Sequence, residues 1–159
     1  MEKGQHWSFD QLVEALKASE EAREGRLLVR TGAELADGAP ANAMEITLPL
    51  LGDLAMVVVL DKPLIRAYVV VAPCDTIRDR AEFERGLLRA NRSLPLSAFA
   101  LTSVSGVECY EIFGQLSTGS ELEEIIEEFE TLGQNAIEAA ELVEEWSGGG
   151  SPVQGEARP

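Results

Sequence analysis

Side chains that ordinarily carry chemistry are scarce in this sequence. Its 159 residues include one histidine, His6, and two cysteines, Cys74 and Cys109. The cysteines lie far apart and form no C-x-x-C pair, so neither a zinc ribbon nor a zinc finger can be assembled. His6 precedes the first helix and reads as a surface side chain rather than a general base. The glycines form neither a P-loop nor a dinucleotide-binding fingerprint. Aromatic residues make up 6% of the chain, and no basic–aromatic surface is present on which nucleic-acid bases could stack. No apolar run approaches the length of a membrane span, so direct membrane insertion is not expected. The first residues, Met1 to Trp7, lack the apolar stretch of an export signal. A bacterial-type cytoplasmic location, with both cysteines as free thiols, is therefore expected. Neither a metal nor another cofactor is expected.

The second absence is positive charge. Between Ser93 and Ala157 there is no lysine or arginine, while thirteen glutamates fall in that third of the chain. The formal net charge is -15, and most of it is concentrated there. Such a field repels nucleic acid and anionic headgroups, and it favours basic partners. The rest of the composition is ordinary for a globular protein: 45% hydrophobic and 26% charged. The length suits one domain with a real core. We expect a single α+β domain over residues 1–146 and a disordered Gly/Ser/Pro-rich tail over 147–159.

Hydrophobic periodicity supplies the elements. Ser8 and Gln11 form a capping box ahead of Phe9, Leu12, Val13 and Leu16, which predicts a helix over 9–22. Strands are predicted at 26–31, 43–48, 55–60 and 65–72, with connections too short for parallel crossovers. Asp75 or Thr76 is the expected cap of a second helix over 77–94, closed by Pro95. Ser105-Gly106 predicts a hairpin between strands at 98–104 and 107–116. Ser120 with Glu123 reads as the capping box of a last helix over 121–146. The predicted fold is thus α+β, with order α-β-β(β)-β-α-β-β-α. It has an antiparallel or mixed sheet of five or six strands, with helices packed on it.

The last helix is the candidate functional element. Leu122, Ile125, Ile126, Phe129, Leu132, Ala136, Ile137, Ala140 and Val143 make one apolar stripe. Glu123, Glu124, Glu127, Glu128, Glu130, Glu138, Glu141 and Glu145 cover most of the other side and read as a solvated acidic face. The carboxylates cannot form a di-metal site, because the necessary Glu-x-x-His motifs are missing. Gly133, inside the apolar stripe, points to a close backbone approach or a bend. At a rise of about 1.5 Å per residue the helix is about 39 Å long. Strands about 4.8 Å apart make a sheet narrower than that. The end carrying Val143 and Trp146 should therefore overhang. The stripe either covers the sheet of its own subunit or is shared between that core and a partner; in the second case Ile125, Phe129, Leu132, Val143 and Trp146 are the expected contacts for a partner protein or a second copy. The predicted second helix has an arginine face, of which Arg85, Arg89 and Arg92 form a secondary charged surface. That face reads either as an ordinary solvated outer face or as one paired with the acidic last helix, within the chain or across a dimer, or with an acidic partner.

One alternative is a small thiol enzyme or redox sensor. Cys74 would sit near the start of the second helix, where a thiol pKa falls. Cys109, in a strand beside Tyr110, reads as a small core side chain.

Several blocks have a recognisable character: Arg80-Ala-Glu-Phe-Glu, Leu87-Leu-Arg-Ala-Asn91, Leu94-Pro-Leu-Ser-Ala-Phe99, Tyr110-Glu-Ile-Phe-Gly-Gln-Leu-Ser117 and residues 125–135. Trp7-Ser-Phe-Asp-Gln-Leu and the strands from Met44 to Leu60 fit more loosely. Together these blocks resemble the YjfI-like family of bacterial proteins, whose function is unknown, over roughly residues 7–146. None is a catalytic motif. The resemblance implies partnership with a PspA-like coiled-coil protein in a membrane-stress system. The element order is also similar to that of type III secretion chaperones, which implies a non-catalytic, chaperone-like homodimer.

Overall fold

Residues 4–148 are described in a computed structural model. Ser8 starts helix α1 (Phe9–Ala18) as its sequence predicts. Its Oγ accepts from the Gln11 N–H at 3.3 Å, and Gln11 Oε1 accepts from the Ser8 N–H at 3.0 Å. The predicted helix does not continue to residue 22. Ser19 is extended; its hydroxyl donates to the Leu16 carbonyl at 2.7 Å and accepts from the Ala22 N–H at 3.2 Å. One serine thereby ends α1 and caps the short helix α2 (Glu20–Arg23).

Six strands follow the hydrophobic runs: β1 (Leu28–Thr31), β2 (Ala43–Leu48), β3 (Leu54–Asp61), β4 (Leu64–Pro73), β5 (Ala98–Val104) and β6 (Val107–Ser117). All pair antiparallel, in the order β1-β2-β3-β4-β6-β5. The alternation of β2 places Met44, Ile46 and Leu48 in the core, joined by Met56, Val58 and Leu60 of β3 and by Ile65 and Ala67 of β4.

Between β4 and β5 lies α3 (Arg80–Ala90), shorter than predicted. Asp79 caps it by accepting from the Glu82 N–H at 3.3 Å, in place of Asp75 or Thr76. Residues 74–76 form a 3-10 turn. Ile77 is held extended because it pairs with Ser147, and the Arg78 N–H donates to the Trp146 carbonyl at 3.1 Å. The last helix, α4 (Leu122–Trp146), begins one residue later than its predicted capping box. Glu124 accepts from the Glu121 N–H at 3.0 Å, while the Ser120 carbonyl takes the indole N–H of Trp7 at 2.9 Å.

Gly133 is a point of close approach. A Cβ there would lie 2.7 Å from Leu48 Cδ1 and 2.8 Å from Leu51 Cδ1. α4 can press its backbone against the β2–β3 connection only because the side chain is missing. Of the expected tail, Ser147 and Gly148 are tied to Ile77 and Arg78; residues 149–159 lie outside those described.

Candidate functional site

The predicted contact stripe separates into two cores. Ile125, Phe129 and Leu132 are 0% exposed and pack among Ile46, Val58, Ile65 and Ile112. In this conformation they close the chain's own core, as a stripe that covers its own sheet does. Val143 and Trp146 do not overhang freely. They are half-buried against a second cluster of Cys74, Ile77, Phe83, Leu87 and Tyr110. The Trp146 and Phe83 ring centroids are 5.6 Å apart, and Phe83 meets Tyr110 edge-on at 5.1 Å. α4 is indeed long, but α3 meets its far end.

The arginines also fall differently. Among the described residues no ion pair joins Arg85, Arg89 or Arg92 to α4; Arg89 reaches Glu82 of its own helix at 3.9 Å. Arg26 reaches α4 instead, at Glu130, 3.6 Å away. Arg85, Arg89 and Arg92 remain exposed. Arg80 ties α3 to the sheet through Glu84 and Glu108, and the Tyr110 hydroxyl donates to Glu84 at 3.0 Å. The Arg80 guanidinium is the main reason that the Glu84 carboxyl lies below its usual range.

The thiol alternative finds little support. Cys74 is 1% exposed, and burial pushes its thiol up, whereas a reactive cysteine needs a lowered pKa and access. Cys109 is buried as well, with its thiol 3.5 Å from the Val107 carbonyl. His6 bonds Thr118 Oγ1 at 2.8 Å, so it anchors the N-terminal segment to the β6–α4 turn. Among the described residues, no group of three or more His, Cys, Asp or Glu is placed to hold a metal ion.

Two polar residues of α4 depart from the expected solvated face. Asn135 is buried; its Nδ2 donates to the Pro95 carbonyl and to Ser97 Oγ, both at 3.0 Å. Glu128 is 4% exposed, and its Oε1 has no hydrogen-bond partner among the described residues. Gly114 of β6 makes room for it: a Cβ there would stand 2.0 Å from that oxygen. Burial, with the nearby Glu127 charge, pushes the Glu128 carboxyl up to about 7. The sequence signal for both is spacing, since residues 128, 132, 135 and 139 extend the buried stripe by one flank.

The surface left open lies on the other side of the sheet. One row of outward residues crosses all six strands, Arg30–Glu45–Val57–Tyr68–Phe113–Ala98. A neighbouring row holds Val70, Glu111 and Ala100. Val57 and Val70 are exposed, and Tyr68 and Phe113 are half-buried. Arg30 and Glu45 pair at the flank. Glu111 has no ion-pair partner among the described residues, and burial raises its carboxyl.

These features define the class: a six-stranded antiparallel sheet with helices on one face, an open apolar centre on the other, and a strong negative charge. The chain belongs to the family described as an uncharacterized protein conserved in bacteria, DUF2170, whose model matches residues 6–147. It is 35% identical over 106 residues to the uncharacterized protein YjfI of Escherichia coli K12, covering 67% of this chain and 80% of that one. The YjfI protein of E. coli O157:H7 matches equally well. Among solved structures, YbjN of E. coli is similar with a TM-score of 0.57 at 14% identity, over 86% of this chain and 93% of that one. A chain of the ExsC–ExsE complex matches with a TM-score of 0.50 at 12% identity, over 78% of each. At these identities the likeness concerns the fold alone. No helix among the described residues is long and apolar enough to cross a membrane.

Proposed function

We propose that this protein is a non-catalytic, cytoplasmic adaptor or chaperone-like protein that binds a partner protein and works as a homodimer. The observation that carries the reading is the open sheet face, where Val57, Val70, Tyr68 and Phe113 lie beside Glu111, a carboxylate that accepts a hydrogen bond from Thr102 and has no ion-pair partner among the described residues. Antiparallel sheets commonly leave one face to water, but that face is then polar. Here its centre is apolar, which suits a docking surface. The occupant that fits is an apolar segment carrying basic side chains: its apolar residues cover the valines and rings, and a lysine or arginine meets Glu111. The net charge of -15 favours the same partner and speeds its approach. One fold neighbour is a chain of the ExsC–ExsE complex, which supports partner binding as a use of this architecture.

The first candidate partner is a PspA-like coiled-coil protein, in keeping with a role in membrane stress. Arg85, Arg89 and Arg92, exposed on α3, are a secondary charged surface in this reading. Calorimetric titration of the purified protein with the PspA-like protein of the same host tests it. Val57→Glu with Val70→Glu should weaken binding at least tenfold while leaving the circular dichroism unchanged. Absent binding, or binding indifferent to both substitutions, counts against the proposal.

A further inference from the structure

Strand β5 is the edge at one end of the sheet, and beyond Phe99 it lacks the usual protections of an edge. Ala98–Val104 contains no charge and no proline, and its pairing with β6 runs from Ala98–Phe113 to Val104–Val107 without a bulge. The opposite edge, β1, is only four residues long and carries Arg30.

The backbone directions along β5 follow from one side chain. Asn91, at the end of α3, accepts from the Phe99 N–H at 2.7 Å and donates to the Phe99 carbonyl at 3.3 Å. It occupies the place that a further strand would take. In an antiparallel strand these groups alternate between the two sides. Since Phe99 points outward, Leu101 and Ser103 do too, and no hydrogen bond among the described residues reaches their backbone groups from that side. The free window is bounded by Asn91 at one end and by the turn at Ser105 and Gly106 at the other. A long added strand collides with Asn91, whereas a twofold-related copy needs only these two positions. Pairing centred on Thr102 sets Leu101 of each chain opposite Ser103 of the other. Centring on Leu101 would require Phe99, which is already taken, and centring on Ser103 would run into the turn.

The side chains agree with this register. Leu88 on α3 is 72% exposed and Leu101 is 50% exposed. Both line a cavity of about 160 Å³ between α3 and β5, with Leu87 and Phe99. A dyad at Thr102 brings the two Leu88–Leu101 pairs to one junction on the helix side.

We infer that β5 is the interface between two copies of this chain, joined edge to edge about a twofold axis at Thr102, with Leu101 and Ser103 exchanging four backbone hydrogen bonds. The interface rests on the homodimer reading above and gives it a surface and a register. A pair directly across a non-hydrogen-bonded site has Cα atoms about 4.5 Å apart, within disulfide reach. Thr102→Cys should therefore cross-link to itself on mild oxidation, in a Cys109→Ala background because Cys109 is its neighbour on β6. Leu101→Cys and Ser103→Cys, at equal concentration, should not. Ser103→Pro removes an outward N–H that the sheet does not use, and so two of the four new bonds. It should raise the dimer dissociation constant about thirtyfold in sedimentation with the fold retained. A dimer that neither cross-links at Thr102 nor responds to Ser103→Pro overturns this interface and leaves the homodimer standing. A parent protein that sediments as a monomer at all concentrations overturns both.

Discussion

Glu128 is a costly side chain to bury. Its carboxyl sits against β6 with one oxygen unpartnered, and its value of about 7 stands above the ordinary 4.5. As pH rises from about 4.5, the unfolded chain ionises first while the native state keeps its proton. The contribution of Glu128 to stability is therefore full below that range, falls until about pH 7, and is level above it. The shift corresponds to about 3 kcal/mol as an order of magnitude. Glu128→Gln should remove most of this slope and stabilise the protein at pH 7.5, as urea melts at pH 5 and 7.5 can measure. Gly114→Ala should destabilise it by about 1–3 kcal/mol, because the new Cβ overlaps the Glu128 carboxyl and stands 2.9 Å from the Leu96 carbonyl oxygen. A Glu128→Ala background should remove the Glu128 share of that cost and leave the Leu96 share. Neither residue was legible. A glutamate in a glutamate-rich helix reads as solvated, and a strand glycine does not announce what fills the space beside it.

Among the elements, the strands were the most readable. β2 follows its alternating pattern residue for residue, and β3 and β4 extend their β-branched runs by a residue at each end or so. The helices were less so wherever distant partners decide. Ile77 fits the periodicity of α3 but is pulled straight by Ser147, seventy positions on in the chain. Ser19 fits α1 but caps α2. The length of α4 was legible, and the geometric argument for an overhang was sound. What covers its end, however, is α3, through Phe83 and Trp146. Trp146→Ala should thus act as a core truncation and cost about 2–4 kcal/mol in chemical denaturation. A role confined to partner contact would leave stability unchanged.

At the scale of the whole molecule, the described residues leave two surfaces uncovered: the sheet face around Val57 and Val70, and the β5 edge. They are distinct, so one copy can pair through its edge while its sheet face stays available. The charge of -15 opposes self-association and favours basic partners. Added salt should consequently tighten the dimer while weakening partner binding, two opposite trends that sedimentation and calorimetry resolve between about 0.05 and 0.5 M. The acidity and its bias toward basic partners were readable from composition. The open apolar sheet face was not, because outward valines in a strand look the same as buried ones until the helices are seen to lie on one side only.

The most direct measurement is a methyl NMR titration of the labelled protein with the PspA-like protein of its host. The account predicts that the methyl signals of Val57 and Val70 shift or broaden, while those of the buried Ile112 and Ile125 hold still. Perturbation confined to Leu142 and Val143 at the α3–α4 junction, with Val57 and Val70 unmoved, would contradict it.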